Sequence, residues 1–419
     1  MRVVHLAHGH PALIAGGTEV IAQALSRTMD RWAGWESRFI GAALPGRKPA
    51  YPGTAFGVVD GDAVLNAPHF ERLMLSQPDA RGALRELGDH LAELRPDVVH
   101  FHHLLNLGAE AIAVARRAVP GARLVMTLHD YYPICHNDGL MRRTATAGGG
   151  LCEAASPVAC AGCFPEVGEA SFRLRELYLK NALSAIDAFA APSRFLAGRY
   201  RAWGLPGGRI HHIPNGYPRP RGGRRPAPPA PAADRPVRFG FFGHLNHAKG
   251  AAVVLAAVRR LVRLGHTDFE VVLHGSDRYA AAATQETLRA EIAGLAHVVT
   301  APGGYDRGRV GDLMRACDYV LVPSVWWEND PLVIKEAFLN RRPVICSDIG
   351  GLKAAVRDGV DGLHAGVDDP DAWARAMARA LQDRGLAGRL GANAPGVPGM
   401  QACARRYAGL YTTPDAAAA

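Results

Sequence analysis

The 419-residue sequence contains no run of eighteen apolar residues, so we expect no transmembrane helix. Its first residues, MRVVHLAHGH, lack a charged leader followed by a long apolar stretch and a small-residue cleavage site. They are typical of a first β-strand and not of a signal peptide. We therefore expect a soluble, cytoplasmic protein.

Several nucleotide- and nucleic-acid-binding motifs are also missing. The glycine pair near residue 16 lacks the G-x-G-x-x-G spacing, and the stretch 243–250 does not fit G-x-x-x-x-G-K-[ST]. No basic motif with interleaved aromatic residues occurs, so no nucleic-acid partner is expected. The 48 Lys and Arg outnumber the 39 Asp and Glu, which favours anionic partners such as nucleotides, lipid headgroups or phosphorylated acceptors. This charge is compatible with peripheral contact at the inner face of the membrane, and equally with a basic solvated surface.

The chain alternates short β-branched runs with longer helical patterns, which is typical of βαβ units and parallel sheets. The Pro-, Gly- and Arg-rich segment 218–236 interrupts this alternation and is predicted to be a linker. We therefore predict α/β domains over 1–217 and 237–395, with a C-terminal segment 396–419 that can cross back to the first. Since ligands of parallel α/β sheets bind outside the carboxyl ends of the strands, we expect the site in a cleft that both domains face.

Two glycine-containing turns follow predicted first strands. Gly16 and Gly17 lead into a helix, where backbone amides and the helix dipole favour an anion, although a plain turn is the alternative. In the second half, the stretch from Gly243 to Gly250 ends on Lys249. A lysine before a helix N-terminus opposes the dipole unless an anionic ligand, such as a diphosphate, is bound.

A third stretch, residues 322–336, combines two acids with a helix start. Asp330 is predicted to cap the helix and Pro331 to occupy its first position. Glu328 then lies in the preceding loop and Glu336 within the first two turns. Two carboxylates placed in this way can bind hydroxyl pairs of a sugar and a ribose, although a helix-start acid and a surface acid are the alternative.

The region from Asp330 to Leu363 resembles the donor-binding half of the retaining glycosyltransferases of family 4, which have the GT-B fold. The spacing of Glu328 and Glu336, and the Pro-Ser before them, match the signature of that family. Residues 241–250 are similar to its phosphate-binding stretch, and residues 213–216 resemble the end of its first domain. Gly16-Gly17 resembles its acceptor-side loop.

This resemblance implies a role for individual residues. Lys249 would bind the donor diphosphate, Glu336 the ribose hydroxyls, and Glu328 the transferred sugar. His129 would face the donor sugar from the first domain, and it joins Glu328 and Lys249 as a predicted catalytic residue. The predicted donor-binding residues are Gly16, Gly17, Gly243, His244, Lys249, Glu328, Asn329, Asp330, Pro331, Leu332 and Glu336. His102 and Asp130 are predicted on the acceptor side.

The resemblance also implies a reaction. A sugar would pass from a nucleotide sugar, with UDP or GDP as the expected carrier, to an unidentified acceptor, with retention of configuration and without a catalytic metal. Two departures bear on this prediction: His244 replaces the usual Arg, and Leu352-Lys353 replaces the usual acid after Gly350-Gly351. A sugar-nucleotide epimerase of the same fold and a non-catalytic nucleotide-sugar-binding protein are the alternatives.

Four of the seven cysteines lie in one Gly- and Ala-rich loop, 135–163, in the first domain. Cys135, Cys152, Cys160 and Cys163 can form a structural zinc site or hold an iron–sulfur cluster, or they can be four reduced thiols. Some members of the resembled family carry such an insertion, for which shaping the acceptor site is the expected role.

Two Asp-x-Asp sequences resemble the metal motif of the other glycosyltransferase fold. Residues 60–62 are interpreted as a turn, and residues 369–371 as a helix cap.

Overall fold

The computed structural model describes residues 1–14, 16–43, 51–66, 69–79, 82–218, 226–230, 234–278 and 280–413. The chain divides into two compact units, which we call unit 1 (residues 1–219 and 398–419) and unit 2 (residues 220–397). The predicted linker lies partly outside the described residues, at 219–225 and 231–233. Its described parts form neither helix nor strand. Ala15 and residues 414–419 also lie outside the described ranges.

Unit 1 contains an eight-stranded sheet in the order β3-β4-β2-β1-β5-β6-β7-β8. Its strands are Arg2–Ala7 (β1), Glu36–Ala43 (β2), Phe56–Val59 (β3), Asp62–Asn66 (β4), Val98–Phe101 (β5), Arg123–Thr127 (β6), Ala188–Ala191 (β7) and Ile210–His212 (β8). All neighbours are parallel except β3 and β4, which form an antiparallel hairpin. Its helices are Gly17–Met29 (α1), Ala83–Leu94 (α2), Glu110–Ala118 (α3), Pro157–Cys163 (α4), Gly168–Ser184 (α5) and Arg194–Trp203 (α6).

Unit 2 contains a six-stranded parallel sheet in the order β11-β10-β9-β12-β13-β14. Its strands are Val237–Phe242 (β9), Phe269–His274 (β10), Val299–Gly303 (β11), Tyr319–Val322 (β12), Val344–Ser347 (β13) and Gly362–Ala365 (β14). Its helices are Ala251–Arg263 (α7), Ala282–Gly294 (α8), Val310–Arg315 (α9), Leu332–Leu339 (α10), Gly350–Ala355 (α11), Pro370–Gln382 (α12) and Leu386–Ala392 (α13). The last helix of the chain, Met400–Thr412 (α14), belongs to unit 1.

The sequence patterns explain why these elements form. β12 reads YVLV, and all four residues are buried, as expected for a central strand covered on both faces. α7 presents Val254, Val258 and Leu261 to the core, while its arginines lie on the other face. The predicted α/β class with parallel sheets is confirmed.

α14 returns to unit 1 through specific polar contacts. Trp32 Nε1 donates to Gln401 Oε1 at 3.0 Å. The hydroxyl of Tyr407 is 2.8 Å from Thr127 Oγ1, and that of Tyr411 is 2.7 Å from His100 Nδ1. Two tyrosine hydroxyls that would otherwise be buried without partners are therefore satisfied inside unit 1.

Strands β2, β3, β4 and β14 and helices α4, α13 and α14 were not predicted from the sequence. These elements are short or lack a strong hydrophobic period, so that packing against neighbours decides their conformation. No helix within the described ranges combines the length and apolarity needed to cross a bilayer.

Candidate active site

The candidate site of unit 2 lies where the order of its sheet reverses, between β9 and β12. At such a switch point, loops leave neighbouring strands in opposite directions and open a crevice at their carboxyl ends. Gly243 and His244 directly follow β9, and Ser324 lies shortly after β12. The predicted donor residues of two distant sequence segments therefore arise at one edge of the sheet.

Lys249 and Glu328 form an ion pair at this edge. Lys249 Nζ lies 2.5 Å from Glu328 Oε1, and the same oxygen accepts hydrogen bonds from Ser324 Oγ at 2.8 Å and Trp326 Nε1 at 3.0 Å. Glu328 is buried, with 5% of its surface exposed. Lys249 Nζ also lies 5.4 Å from the centre of the Trp326 ring. Charge-assisted hydrogen bonds and a cation–π contact thus fix both side chains.

The backbone around Lys249 requires a glycine at the next position. α7 begins at Ala251, and Gly250 before it has a φ of +73°. A Cβ at Gly250 would lie 1.9 Å from the Pro323 carbonyl oxygen. Only glycine allows the loop after β12 to pass this close to the start of α7.

His244, which stands where the resembled family usually has Arg, has a pKa below its ordinary value. Burial is the largest cause, and the positive charges of Lys249 and Arg278 lower the pKa further. The imidazole is therefore neutral at pH 7. Of His244 and Lys249, only the lysine carries the positive charge that a diphosphate would bind.

Glu336 lies on α10 and is also buried. Its carboxylate is 3.5 Å from the guanidinium of Arg307, which belongs to a short helical turn after β11. Burial, together with the Glu336 charge, raises the pKa of Tyr305 to about 12. Neither Arg307 nor Tyr305 was selected from the sequence, although Gly303-Gly304 directly after a strand was a signal for a ligand loop.

The predicted cap of α10 was wrong. Pro331, and not Asp330, is the capping residue, and no side chain caps the helix. Asp330 instead pairs with Lys335 at 2.8 Å. Proline fixes φ and lacks an amide hydrogen, so the helix can begin beside it without a capping oxygen. Leu332 is then the first helical residue.

The second glycine pair packs against the Glu328 segment. The Gly351 amide donates to the Glu328 carbonyl oxygen at 3.0 Å. A Cβ at Gly351 would lie 1.9 Å from the carbonyl oxygen of Asn329. Gly351 therefore holds the backbone of Glu328 and Asn329 in place by close approach.

Unit 1 also has a polar cluster at its switch point, between β1 and β5. Glu19, on the first turn of α1, is 1% exposed and lies 2.9 Å from His8 Nε2. Burial by itself lowers the pKa of His8, but the negative charge of Glu19 raises it, and the pKa ends above its ordinary value. A Cβ at Gly16 would lie 2.1 Å from Glu19 Oε2, so Gly16 makes room for this carboxylate. Glu19 was not selected from the sequence; it stands within the first turn after the glycine pair.

A second carboxylate–histidine pair adjoins the first. His103 Nε2 lies 2.7 Å from Asp130 Oδ2, and the rings of His8 and His103 are 4.3 Å apart. Burial alone would raise the pKa of Asp130, but His103 holds it below the usual value. The Tyr200 hydroxyl donates to the Asp130 carbonyl oxygen at 2.8 Å.

The predicted residues His102 and His129 lie in a chain of three histidines. His5 Nδ1 is 3.0 Å from His102 Nε2, and His102 Nδ1 is 3.1 Å from His129 Nε2. Burial lowers the pKa of each ring, to about 3 for His5. The three rings are therefore neutral at pH 7, and the tautomer of one determines the tautomers of the others.

The two Asp-x-Asp sequences have the structural roles predicted for them. Asp60 and Gly61 form the turn between β3 and β4, both with positive φ. Asp369 caps α12 through the amides of Asp371 and Ala372.

The four cysteines of the loop 135–163 form no disulfide and line one cavity of about 300 Å³ in unit 1. They do not converge on a point. Within the described ranges, the one group of three or more His, Cys, Asp or Glu ligand atoms lying within 4.8 Å of one another is His5, His100 and His102.

Comparison with known proteins identifies both units. A family model described as Glycosyltransferase Family 4 matches residues 15–221, and one described as Glycosyl transferases group 1 matches residues 228–397. The chain belongs to glycosyltransferase family 4. A D-inositol 3-phosphate glycosyltransferase of Xylanimonas cellulosilytica is 29% identical to this glycosyltransferase, over 94% of the chain and 88% of that protein.

Solved structures show that this glycosyltransferase has the predicted GT-B fold. Sucrose-phosphate synthase from Thermosynechococcus elongatus superposes with a TM-score of 0.70 at 20% identity, covering 98% of each chain. Anabaena Alr3699/HepE in complex with UDP-glucose superposes with a TM-score of 0.66 at 17% identity, covering 98% of the chain and 99% of that protein.

Proposed function

We propose that this glycosyltransferase transfers a sugar from a UDP-sugar to a phosphorylated polyol, with retention of anomeric configuration and without a catalytic metal. The observation that carries the proposal is the ion pair between the half-buried Lys249 and the buried Glu328 at the switch point of unit 2. It places a fixed cation and a fixed carboxylate 2.5 Å apart at the edge of a parallel sheet where ligands bind.

Lys249 is proposed to bind the donor diphosphate. Since Lys249 is 33% exposed and Glu328 only 7%, the ammonium group is the accessible member of the pair. A diphosphate bound beside it would relieve the unfavourable position of a cation before a helix N-terminus. As the sugar departs, negative charge grows on the diphosphate, and a preorganised cation stabilises it without the cost of reorganising water.

Glu328 is proposed to contact the transferred sugar. Lys249, Ser324 and Trp326 all bind its Oε1, so these contacts leave Oε2 to accept from sugar hydroxyls. The amides of Asn329 and Leu332 are proposed to line the same pocket. A carboxylate fixed in this way selects a hydroxylated ligand because an apolar group would leave the oxygen unsatisfied.

Glu336 is proposed to bind the ribose hydroxyls of the nucleotide. Arg307 lies 3.5 Å from Glu336 Oε1, at the outer limit of hydrogen-bond distance, and is proposed to orient the carboxylate. UDP is the first choice of carrier because Alr3699/HepE, whose fold the chain shares, has been solved with UDP-glucose. GDP remains the alternative predicted from the sequence.

The acceptor proposal rests on the relative from Xylanimonas cellulosilytica, whose name gives D-inositol 3-phosphate as its acceptor. The net charge of +9 is consistent with an acceptor that carries phosphate. His129, His102 and Asp130 are proposed to serve the sugar and acceptor side, from unit 1.

A thermal-shift panel of UDP, GDP and ADP tests the donor site. UDP should raise the unfolding midpoint of the wild type, since a ligand that binds only the native state stabilises it. The shift should disappear in Glu336→Gln and persist in Glu286→Gln, an acid-to-amide control on helix α8. If none of the nucleotides shifts the wild type, the donor-site proposal fails.

A product assay tests the reaction separately. Wild-type protein is incubated with UDP-glucose and D-inositol 3-phosphate, and products are followed by mass spectrometry and anomeric NMR. An α-linked product supports transfer with retention, and a β-linked product contradicts it. Isomerised donor without acceptor indicates the epimerase alternative. Binding of UDP without any turnover over a panel of phosphorylated polyols contradicts the acceptor proposal and leaves the donor site intact.

A further inference from the structure

The four-cysteine cavity of unit 1 is not used by the proposed transfer reaction. The cysteines reach it from three separate backbone segments, each held by its own hydrogen bonds. Cys135 ends a turn in which its amide donates to the Tyr131 carbonyl oxygen at 2.7 Å. Cys152 follows a two-strand bridge between Arg142 and Leu151, and its amide donates to Met141 at 2.8 Å.

Cys160 and Cys163 are presented together by α4. They stand three residues apart, so their side chains lie on the same face of the helix. Ser156 caps this helix by accepting from the Ala159 amide at 3.2 Å, and Thr144 Oγ1 donates to the Cys163 carbonyl oxygen at 2.9 Å. A seven-residue helix is too short to be stable alone, so its fixed position depends on these contacts and on its packing against α5.

A buried cation beside the cavity provides an independent observation. Arg175 is 3% exposed and donates to three backbone carbonyl oxygens, those of Leu73 at 2.6 Å, Pro133 at 2.7 Å and Tyr132 at 2.5 Å. It makes no ion pair with a carboxylate in the described part of the chain. A buried charge without a counter-ion is strongly unfavourable.

The side chains that interact most strongly with Arg175 are Cys135 and Cys160. Tyr200 and Glu71 follow these two thiols among the groups whose charge would stabilise the guanidinium. Metal-bound thiolates would add negative charge beside it, because four thiolates outweigh the charge of a divalent ion. The cavity therefore combines four sulfur ligands with a neighbouring buried cation.

We propose that Cys135, Cys152, Cys160 and Cys163 ligate a metal centre through four thiolates. The width of the cavity favours an iron–sulfur cluster over a single zinc ion. Around one zinc ion, sulfurs at about 2.3 Å from the metal would lie about 3.8 Å from each other. No three of these four sulfurs lie within 4.8 Å of one another. In a polynuclear cluster, different iron atoms bind different cysteines, so the four cysteine sulfurs can lie farther apart than around one zinc ion.

This centre would stabilise the segment that directly follows His129 and Asp130. Arg175 holds the carbonyl groups of Tyr132 and Pro133, and the centre would fix Cys135 two residues later. The proposed role is structural, and no electron transfer is assigned to it. The proposal is independent of the sugar-transfer proposal, because it concerns ligands that do not touch the donor residues of unit 2.

The test measures metal content in the full-length protein. Protein is purified anaerobically without chelators, and a second sample is reconstituted with ferrous iron and sulfide or with Zn²⁺. Iron, zinc and acid-labile sulfide are quantified, and the visible absorption spectrum is recorded. We expect about two to four iron atoms per chain with matching sulfide, the composition of clusters with four cysteine ligands.

Variants identify the ligands. Cys160→Ser and Cys163→Ser should lose nearly all of the metal, whereas Cys317→Ser, at a buried cysteine of unit 2, should retain it. One zinc per chain, lost in the same two variants, would support the four-thiolate centre and overturn the cluster. Neither metal at near-stoichiometric amounts, in either sample, would overturn the proposal altogether.

A measurement on the wild type tests the same ligands without substitutions, so a variant that fails to fold cannot affect its result. Cys152, Cys160 and Cys163 are partly exposed, but burial raises the pKa of Cys160 to about 11, so thiols that bind no metal should be alkylated only at alkaline pH. We expect protection from iodoacetamide until the metal is stripped, followed by modification of all three, as read by peptide mass spectrometry. Rapid alkylation of the metal-replete sample would contradict the proposal.

Discussion

The switch points of the two units carry carboxylates with different partners. In unit 2, Glu328 and Glu336 pair with Lys249 and Arg307, whose charges are constant at physiological pH. In unit 1, Glu19 pairs with His8, and a chain of neutral histidines lies beside it. The same sheet position therefore carries a permanent charge pattern in one unit and a titratable pattern in the other.

This difference separates two tasks that the proposed reaction requires. A diphosphate is anionic throughout the physiological pH range, so a constant cation is suited to bind it. Proton transfer or orientation of a hydroxyl group calls for groups that can exist in two protonation or tautomeric states. Unit 2 has the first property and unit 1 the second.

The largest expected effect concerns the acid stability of unit 1. Burial depresses the pKa values of His5, His100 and His102, so the unfolded chain binds more protons than the native state below pH 6.5. Their contribution is fully present above that pH and is lost as the pH falls. A buried histidine that stays neutral over this range destabilises the native state by about 2 kcal/mol between pH 7 and pH 5, so the unfolding midpoint should fall clearly. The raised pKa of His8 opposes this trend by a smaller amount.

Thermal unfolding of the full chain from pH 7.5 to pH 5 measures this effect. His100→Gln should make the unfolding midpoint depend less steeply on pH, because about one fewer proton is taken up on unfolding. His297→Gln, at an exposed position of unit 2, should leave it unchanged. A midpoint that does not fall with pH would contradict the comparison between the units.

The second largest effect is the loss of activity in Lys249→Ala. Removing the cation should reduce kcat/KM by about 100- to 1,000-fold, as for loss of one preorganised group that stabilises transition-state charge. Lys353→Ala removes an exposed lysine that pairs with Asp348, and should retain activity. Steady-state kinetics with UDP-glucose compares them. Equal activity in both variants would remove Lys249 from the proposed site.

The third prediction compares a glycine from each unit. Gly250→Ala combines a positive φ with a clash against a backbone carbonyl, so we expect about 2–3 kcal/mol of destabilisation and loss of activity. Gly16→Ala meets the carboxylate end of Glu19 and no backbone atom, at an ordinary φ, so we expect a smaller destabilisation than for Gly250→Ala.

Gly359→Ala is the control for backbone strain, since its φ is +70° but no atom lies near its Cβ position. Denaturant unfolding of the three variants should rank Gly250→Ala as least stable. If Gly359→Ala is destabilised as much, backbone strain alone explains the stability loss of Gly250→Ala. The close contact with the Pro323 carbonyl oxygen would then contribute nothing measurable.

The smallest effect tests the histidine chain. His5→Gln breaks the contact to His102 Nε2 without touching His129, so we expect kcat to fall about 3- to 10-fold and its pH profile to shift. KM for the UDP-sugar should be unchanged. His297→Gln, at an exposed position of unit 2, should keep the wild-type profile. Identical profiles for the two variants would leave His5 a purely structural role.

Individual residues show which features could be predicted. The donor residues lie in contiguous motifs, so Lys249, Glu328 and Glu336 could be selected from local sequence and from the resemblance to family 4. Arg307 could not, because the fold brings it to Glu336 from a separate βα segment. Glu19 lies near His8 in the sequence, but only the structure shows that the two side chains form a pair. The cap of α10 was misassigned because the ion pair between Asp330 and Lys335 depends on the three-dimensional position of both side chains.

The sequence by itself determined the α/β class, the alternation of strands and helices, and the motifs that identify the family, because periodicity and glycine spacing are local properties of the chain. Only the tertiary structure decided the order of strands in each sheet and the partner of each buried charge. It also gathered four cysteines from three segments around one cavity beside the buried Arg175. Such long-range contacts follow from burial and hydrogen bonding in the folded state, which the order of residues does not display.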